Sequence, residues 1–179
     1  MTKKRKIILI EIIGILIDRI TKMIVKKHIV KNTFIKIIGN FFRITYTENT
    51  GAAWSILKNK TFFLIIISLL FLIFIISCII KDKRNTNFNT FSYGLIISGI
   101  IGNMFDRIVY HKVTDFLSFK IFGYYFPIFN IADSLIVIGT ILFIIDMIQE
   151  GREESPMLKE YEKIKENTSG KNSSRARKH

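Results

Sequence analysis

Residues 61–80 read TFFLIIISLLFLIFIISCII, 20 positions without a charged side chain. A helix of that length rises about 30 Å, which matches the hydrocarbon core of a bilayer. Residues 88–105 repeat the pattern with 18 uncharged positions. Two further apolar runs are incomplete. Residues 7–17 are interrupted by Glu11, and residues 134–145 supply only 12 positions. Each must be extended to span, and extension brings in Asp18, Arg19 and Lys22 in the first case and Asp133 or Asp146 in the last. The pattern predicts an all-α integral membrane protein with four transmembrane helices, over about residues 7–25, 61–80, 88–107 and 131–149.

Composition agrees with this class. Of the 179 residues, 49% are hydrophobic, too many, in runs too long, for one soluble core. The net charge of +13 would suggest nucleic acid on a soluble surface, but the basic residues lie between and beyond the apolar runs, where they act as topology signals. No nucleic-acid partner is expected. Cys78 is the single cysteine and His28, His111 and His179 are scattered, so neither a disulfide framework nor a metal site is expected. The N-terminal KKRK followed by an apolar run imitates a secretory signal, but no small-x-small cleavage site follows, and the first helix is read as retained.

Four spans place both termini on one side. That side carries 15 basic residues and the other carries nine, so the termini are assigned to the cytoplasm. The up-down path then brings Asp18 and Lys22 from helix one, Asn103, Asp106 and Arg107 from helix three, and Asn130 and Asp133 from helix four to the same membrane face. Glu11 and Asp146 fall toward the opposite face. Within each set the spacing is i,i+3 or i,i+4, so each can face a common centre.

Residues 26–60 and 108–130 form the extracytoplasmic segments on that face. FFRITYTENTGAAW, residues 41–54, alternates apolar and polar positions before Asn-Thr-Gly, the mark of a strand entering a turn. Residues 110–130 hold eight aromatics, suited to the headgroup region. A small extracytoplasmic β-sheet or surface platform is expected. Residues 151–179 read as a charged cytoplasmic tail, partly disordered, with one short helix over about 157–167.

Ionisable groups inside a membrane cost a few kcal/mol and usually mark function. For Asp18 with Lys22, and for Asp106 with Arg107, ion pairing that braces the helices, within one helix or across helices, is the simpler reading. Asp115 and Asp133 lack such close basic neighbours in sequence, apart from Lys112, and are candidates for a working pair. Two carboxylates in a low-dielectric site cannot easily both ionise, so one keeps a proton while the other acts as base. An exposed loop position for Asp115 is the competing reading. A proton-coupled transporter and a non-enzymatic membrane assembly protein are the competing functions. The transporter predicts charged residues distributed through the membrane depth, whereas here they cluster at one face and helix two has none.

DRITK at 18–22, NTGAAWS at 49–55, GNMFDR at 102–107, VTDF at 113–116 and FNIADS at 129–134 occur in the order and approximate spacing of the bacterial lipoprotein signal peptidase family, the type II signal peptidases. The chain resembles that family over residues 7–148. The resemblance implies a multi-pass aspartyl endopeptidase of the bacterial inner membrane, monomeric, using no cofactor. It would contact membrane lipids and cut diacylglyceryl-modified prolipoproteins immediately before the lipidated cysteine. By motif, Asp115 and Asp133 would be the catalytic dyad. Asn49 and Gly51 would line the substrate path, Asn103 and Arg107 would position substrate or brace the dyad, and Asn130 would orient Asp133. Asp18, Lys22, Asp106 and Ala132 would support the site. Trp54 stands where the family's motif often has Phe, and is expected to pack at the interface.

Overall fold

The computed structural model describes residues 2–82 and 86–153. Among the described residues are four α-helices, α1 (Lys3–His28), α2 (Thr61–Lys81), α3 (Asn87–Tyr110) and α4 (Ile131–Glu153). Between α1 and α2 lie β1 (Phe34–Ile38) and β2 (Phe42–Asn49), and between α3 and α4 lie β3 (Val113–Ile121) and β4 (Tyr124–Tyr125). The chain forms two compact units, Met1–Leu142 and Phe143–His179; the first contains the sheet, α1 to α3 and the start of α4, and the second contains the end of α4 with Asp146. The turn at Lys83 and Arg84, and the tail from 154 with the short helix expected at 157–167, lie outside the described residues.

Polarity is distributed inside out. Ile8, Leu9, Ile12 and Leu16 of α1, Phe62, Leu70 and Phe74 of α2, and Phe88 and Phe91 of α3 are exposed. Asp18, Lys22, Asn89, Ser98, Asn103 and Asp106 are buried. In water this arrangement would expose apolar area far beyond that of an ordinary surface, whereas against lipid tails it is the stable one. Helices Thr61–Lys81 and Ile131–Gly151 are each long and apolar enough to cross a membrane.

Lipid tails are as apolar as leucine, so association between helices depends on close backbone approach and on polar contacts. Helix α3 supplies both. A Cβ on Gly99 would meet the Ala132 carbonyl oxygen of α4 and lie 3.1 Å from the Ile136 nitrogen. On the side facing α1, a Cβ on Gly102 would lie 2.7 Å from Asp18 Oδ2. The polar contact is an ion cluster. Lys22 Nζ lies 2.8 Å from Asp18 Oδ2 and 2.8 Å from Asp106 Oδ2, and Arg19 also pairs with Asp106. Of the pairings open to Asp106, the one across helices is formed, with Lys22 and Arg19 as partners in place of the adjacent Arg107. Neighbours i and i+1 project from different sides of a helix, so Asp106 faces α1 while Arg107 turns elsewhere.

The four strands form one antiparallel sheet in the order β1-β2-β3-β4. Strand β1 was not separable in the sequence from the loop around it; turns at Asn32 and Gly39, both at positive φ, isolate it. The sheet is fixed to the helices by a small core in which Val25, Ile29 and Phe116 pack with Ile44, Tyr46, Leu117 and Ile131. In register, Thr47 of β2 faces Asp115 of β3 and Asn49 faces Val113.

Two substitutions test this packing. Gly99→Val should cost about 3 kcal/mol by overpacking against α4 backbone, read as a lowered thermal midpoint in detergent, while Gly151→Ala, with open space around it, should be neutral or slightly stabilising. Lys22→Met should cost about 3–5 kcal/mol, because it leaves buried carboxylates without their shared cation.

Candidate active site

Asn130, immediately before α4, and Asp133, in its first turn, bind each other reciprocally. The Asp133 backbone N–H donates to Asn130 Oδ1 at 3.0 Å, and the Asn130 backbone N–H donates to Asp133 Oδ2 at 3.1 Å. This is the capping-box arrangement with an Asn and an Asp in the two roles. It satisfies a helix start that is buried and cannot turn to water for its N–H groups. A second free N–H of that turn, on Ala132, donates to Asp18 Oδ1 at 3.0 Å, so a carboxylate of α1 caps α4. Ala132 is fully buried, and its Cβ would lie 3.3 Å from a Cβ on Gly102; a larger side chain has no room there.

Asp115 reaches the same place from the sheet. Its Oδ1 accepts from Asn130 Nδ2 at 2.7 Å and its Oδ2 accepts from Asn49 Nδ2 at 3.0 Å. One amide, Asn130, thus contacts both aspartates. Asn49 is held in turn by the Gly51 backbone N–H, which donates to its Oδ1 at 2.8 Å. Thr47, which the sequence did not single out, donates to the Asp115 carbonyl at 3.3 Å. Asp133 is fixed from a third side by Asn103 Nδ2, which donates to its Oδ1 at 2.7 Å, while Lys22 Nζ donates to Asn103 Oδ1 at 3.1 Å. The ammonium therefore decides which way the Asn103 amide faces: its oxygen toward Lys22, its NH2 toward Asp133.

Asp115, Asp133, Asn49, Asn103 and Arg107 line one cavity of about 730 Å³. Apart from Ser68 and Ser134 its remaining wall is apolar, with Ile67 and Phe71 from α2, Ile136 to Ile138 from α4, and residues 126–129 before α4. Trp54 stands at this wall, 70% exposed, at positive φ, edge-on to Phe126 with ring centroids 6.0 Å apart. Arg107 donates to the Gly51 carbonyl at 3.2 Å and to the Asn103 carbonyl at 3.4 Å, which ties the turn after β2 to α3. Burial, and next to it the nearby Asp133 carboxylate, push Asp115 up to about 7 against the hydrogen bonds from Asn49 and Asn130 that pull it down. A carboxyl group so placed exchanges its proton near neutral pH, which suits acid-base work. Among the described residues no three His, Cys, Asp or Glu side chains are grouped to hold a metal ion.

The sequence-derived residues therefore fall into two layers. Asp115, Asp133, Asn49, Asn103 and Arg107 face the cavity, with Gly51 beside them. Asp18, Lys22, Asp106, Asn130 and Ala132 stand behind and hold the first layer in place. Arg19 belongs to the second layer and was not singled out. The signal for it was its place beside Asp18 in DRITK, with a cation facing a third helix.

A family model for signal peptidase (SPase) II matches residues 10–149. A lipoprotein signal peptidase of Clostridium novyi (strain NT) is 42% identical over 146 residues, covering 81% of this chain and 99% of the relative. Two solved structures of bacterial membrane enzymes superpose on the fold. One gives a TM-score of 0.77 at 37% identity, covering 84% of this chain and 92% of the other. The second gives 0.72 at 40% identity, covering 79% and 91%. With 140 of its residues matched by one family model, a 42% identical relative and an inside-out helical fold shared with membrane enzymes, the chain belongs to the signal peptidase II family.

Proposed function

We propose that this protein is a membrane-embedded aspartyl endopeptidase that removes the signal peptide from prolipoproteins, cutting immediately before a diacylglyceryl-modified cysteine. The observation that carries the reading is the cavity in which Asp115 and Asp133, bridged by Asn130, meet an apolar wall from α2 and α4. Such a cleft offers acid-base chemistry at one end and a surface for acyl chains at the other. The name of the Clostridium novyi relative supports prolipoproteins as the substrate class.

In this reading α1 to α4 are four spans of the bacterial inner membrane, with both termini cytoplasmic. Residues 1–150 form the peptidase domain and 151–179 the cytoplasmic tail. The dyad and the sheet lie at the extracytoplasmic face, and the protein acts as a monomer. The buried polar layer at one end of the helices supports that placement.

Hydrolysis needs a base for water and an acid for the leaving amine. Asp133 takes the proton of the attacking water; its place in the first turn of α4 puts the helix dipole behind a negative charge. Asp115, which holds its proton up to about pH 7, donates to the carbonyl oxygen as the tetrahedral intermediate forms. As the intermediate collapses, the C–N bond breaks, the amine nitrogen receives the proton now on Asp133, and the carbonyl oxygen returns its proton to Asp115. Asn49, Asn103 and Asn130 keep both carboxyl groups aimed. Arg107 and Gly51 set the edge along which the peptide passes.

Purified protein incubated with a diacylglyceryl-modified prolipoprotein should cut before the lipidated cysteine. Asp115→Asn and Asp133→Asn should each lose on the order of 10³-fold or more in kcat while melting as folded proteins; full activity in either would remove that residue from the chemistry. The pH profile carries a second expectation. Asp115 is protonated below about pH 7 and ionised above it, so a mechanism that needs its proton loses rate as pH rises through about 7. A rate that instead falls as pH drops through about 7 would assign Asp115 the role of base.

A further inference from the structure

Nine basic residues lie in segments 26–60 and 108–130, on the side of the bilayer that the topology reading assigns away from the cytoplasm. Positive charge there opposes the rule used to orient the protein, so it requires a cause of its own. Inside the sheet layer only part of it is neutralised. Glu48 pairs with Lys31 and, at 2.8 Å, with Lys112, and accepts from the Tyr46 hydroxyl at 2.9 Å. Burial pushes Glu48 up, but these three donors outweigh it and hold it at about 2. Lys36, Lys58 and Lys60 are exposed and form no ion pair among the described residues.

These free cations sit among exposed apolar side chains. Lys36 is the centre of β1, whose other residues, Phe34, Ile35, Ile37 and Ile38, are all about half exposed. Lys58 and Lys60 follow exposed Ile56 and Leu57. The hairpin after β3 carries Phe122 at 96% exposure and Tyr124 at 82%. Arg43 is placed between the rings of Phe34 and Tyr125, at 4.6 and 4.3 Å from their centroids, with Lys120 over Tyr125 at 5.3 Å. An edge strand this apolar would aggregate if it faced water. Lysine at its centre keeps it from sinking into hydrocarbon, which fixes it at headgroup depth.

We infer that these extracytoplasmic segments dock on anionic phospholipid headgroups of the outer leaflet, with Lys36 at the centre of the edge strand and Lys58 and Lys60 ahead of α2 each drawing anionic headgroups, and with the aromatic and aliphatic side chains beside each entering the outer acyl region. Charge complementarity selects this occupant. A second copy of the chain would bring the same uncompensated positive charge to the contact, and a zwitterionic lipid brings a cation with each phosphate and so leaves the net positive charge of the three lysines uncompensated. This assignment requires the chain to sit in a bilayer as proposed above and requires nothing of the peptidase chemistry.

The single tryptophan, Trp54, four residues before Lys58, supplies the test. The full chain is reconstituted in phosphatidylcholine vesicles containing a minor fraction of brominated phosphatidylglycerol or, in parallel, the same fraction of brominated phosphatidylcholine, and Trp54 quenching is compared. Quenching by the anionic lipid should exceed that by the zwitterionic one by about threefold. The excess should vanish in Lys36→Gln/Lys58→Gln/Lys60→Gln, and should shrink at high salt in the unaltered protein as the charges are screened. Equal quenching by the two lipids, or an excess that survives both the triple substitution and high salt, overturns the assignment. Because the readout is lipid contact and not cleavage, an inactive protein that still enriches the anionic lipid would sink the peptidase reading and leave this one standing.

Discussion

The structure depends on one buried cation. Lys22 is held between Asp18 and Asp106 and donates to Asn103, in a helix layer surrounded by apolar side chains. None of these groups is tolerable alone in such a setting, since an unpaired charge in a low-dielectric interior costs several kcal/mol. Together they are, and their joint satisfaction fixes α1 against α3 at a single register. The same Asp18 uses its other oxygen to cap α4 at Ala132. Three helices are thus located by two side chains one turn apart on α1, and the small residues Gly99 and Gly102 allow the backbones to come close enough for that to happen.

From this layer outward the order of determination is continuous. Lys22 orients the Asn103 amide, Asn103 orients Asp133, and Asn130 links Asp133 to Asp115 on a different kind of element. One carboxylate arrives on a helix and the other on a strand. The sheet can bring its partner to the right point because the core of Val25, Ile29 and Phe116 fastens it to the end of α1, the helix that also carries Lys22. Both aspartates are therefore referred to the same helix.

Much of this was legible in the sequence, for definite reasons. Long uncharged runs form long helices, so α2 was read to within a residue and α3 to within three, the i,i+4 spacing of Asp18 with Lys22 placed that pair on one side of α1, and the i,i+3 spacing of Asn130 with Asp133 brought the two together at the start of α4. The convergence of Asp115 and Asp133 came from the ordered motifs, since no spacing rule says how far a sheet carries a residue. Tertiary pairing was less legible. Asp106 looked paired with Arg107 because they are adjacent, but helical geometry sends adjacent side chains apart, and Arg19 took that place across the helix interface. Strand β1 was hidden because FIKII between lysines and turns has neither a helical nor an alternating period; only its partner β2 makes it a strand.

The reciprocal bonds between Asn130 and Asp133 restrict where the chain can change length. Residues 120–125 form a hairpin with exposed side chains at its tip, and an added residue there would be absorbed by the turn. From Phe129 onward there is no such slack: its backbone is bonded to Leu117 in both directions, Asn130 is bonded to both aspartates, and α4 begins at once. One residue inserted between 130 and 133 would rotate Asp133 by about 100° around the α4 axis relative to Asn130 and break the reciprocal bonds between them. Variation among descendants of this gene should accordingly collect in the hairpin, while the four-residue count from Asn130 to Asp133 is inherited intact.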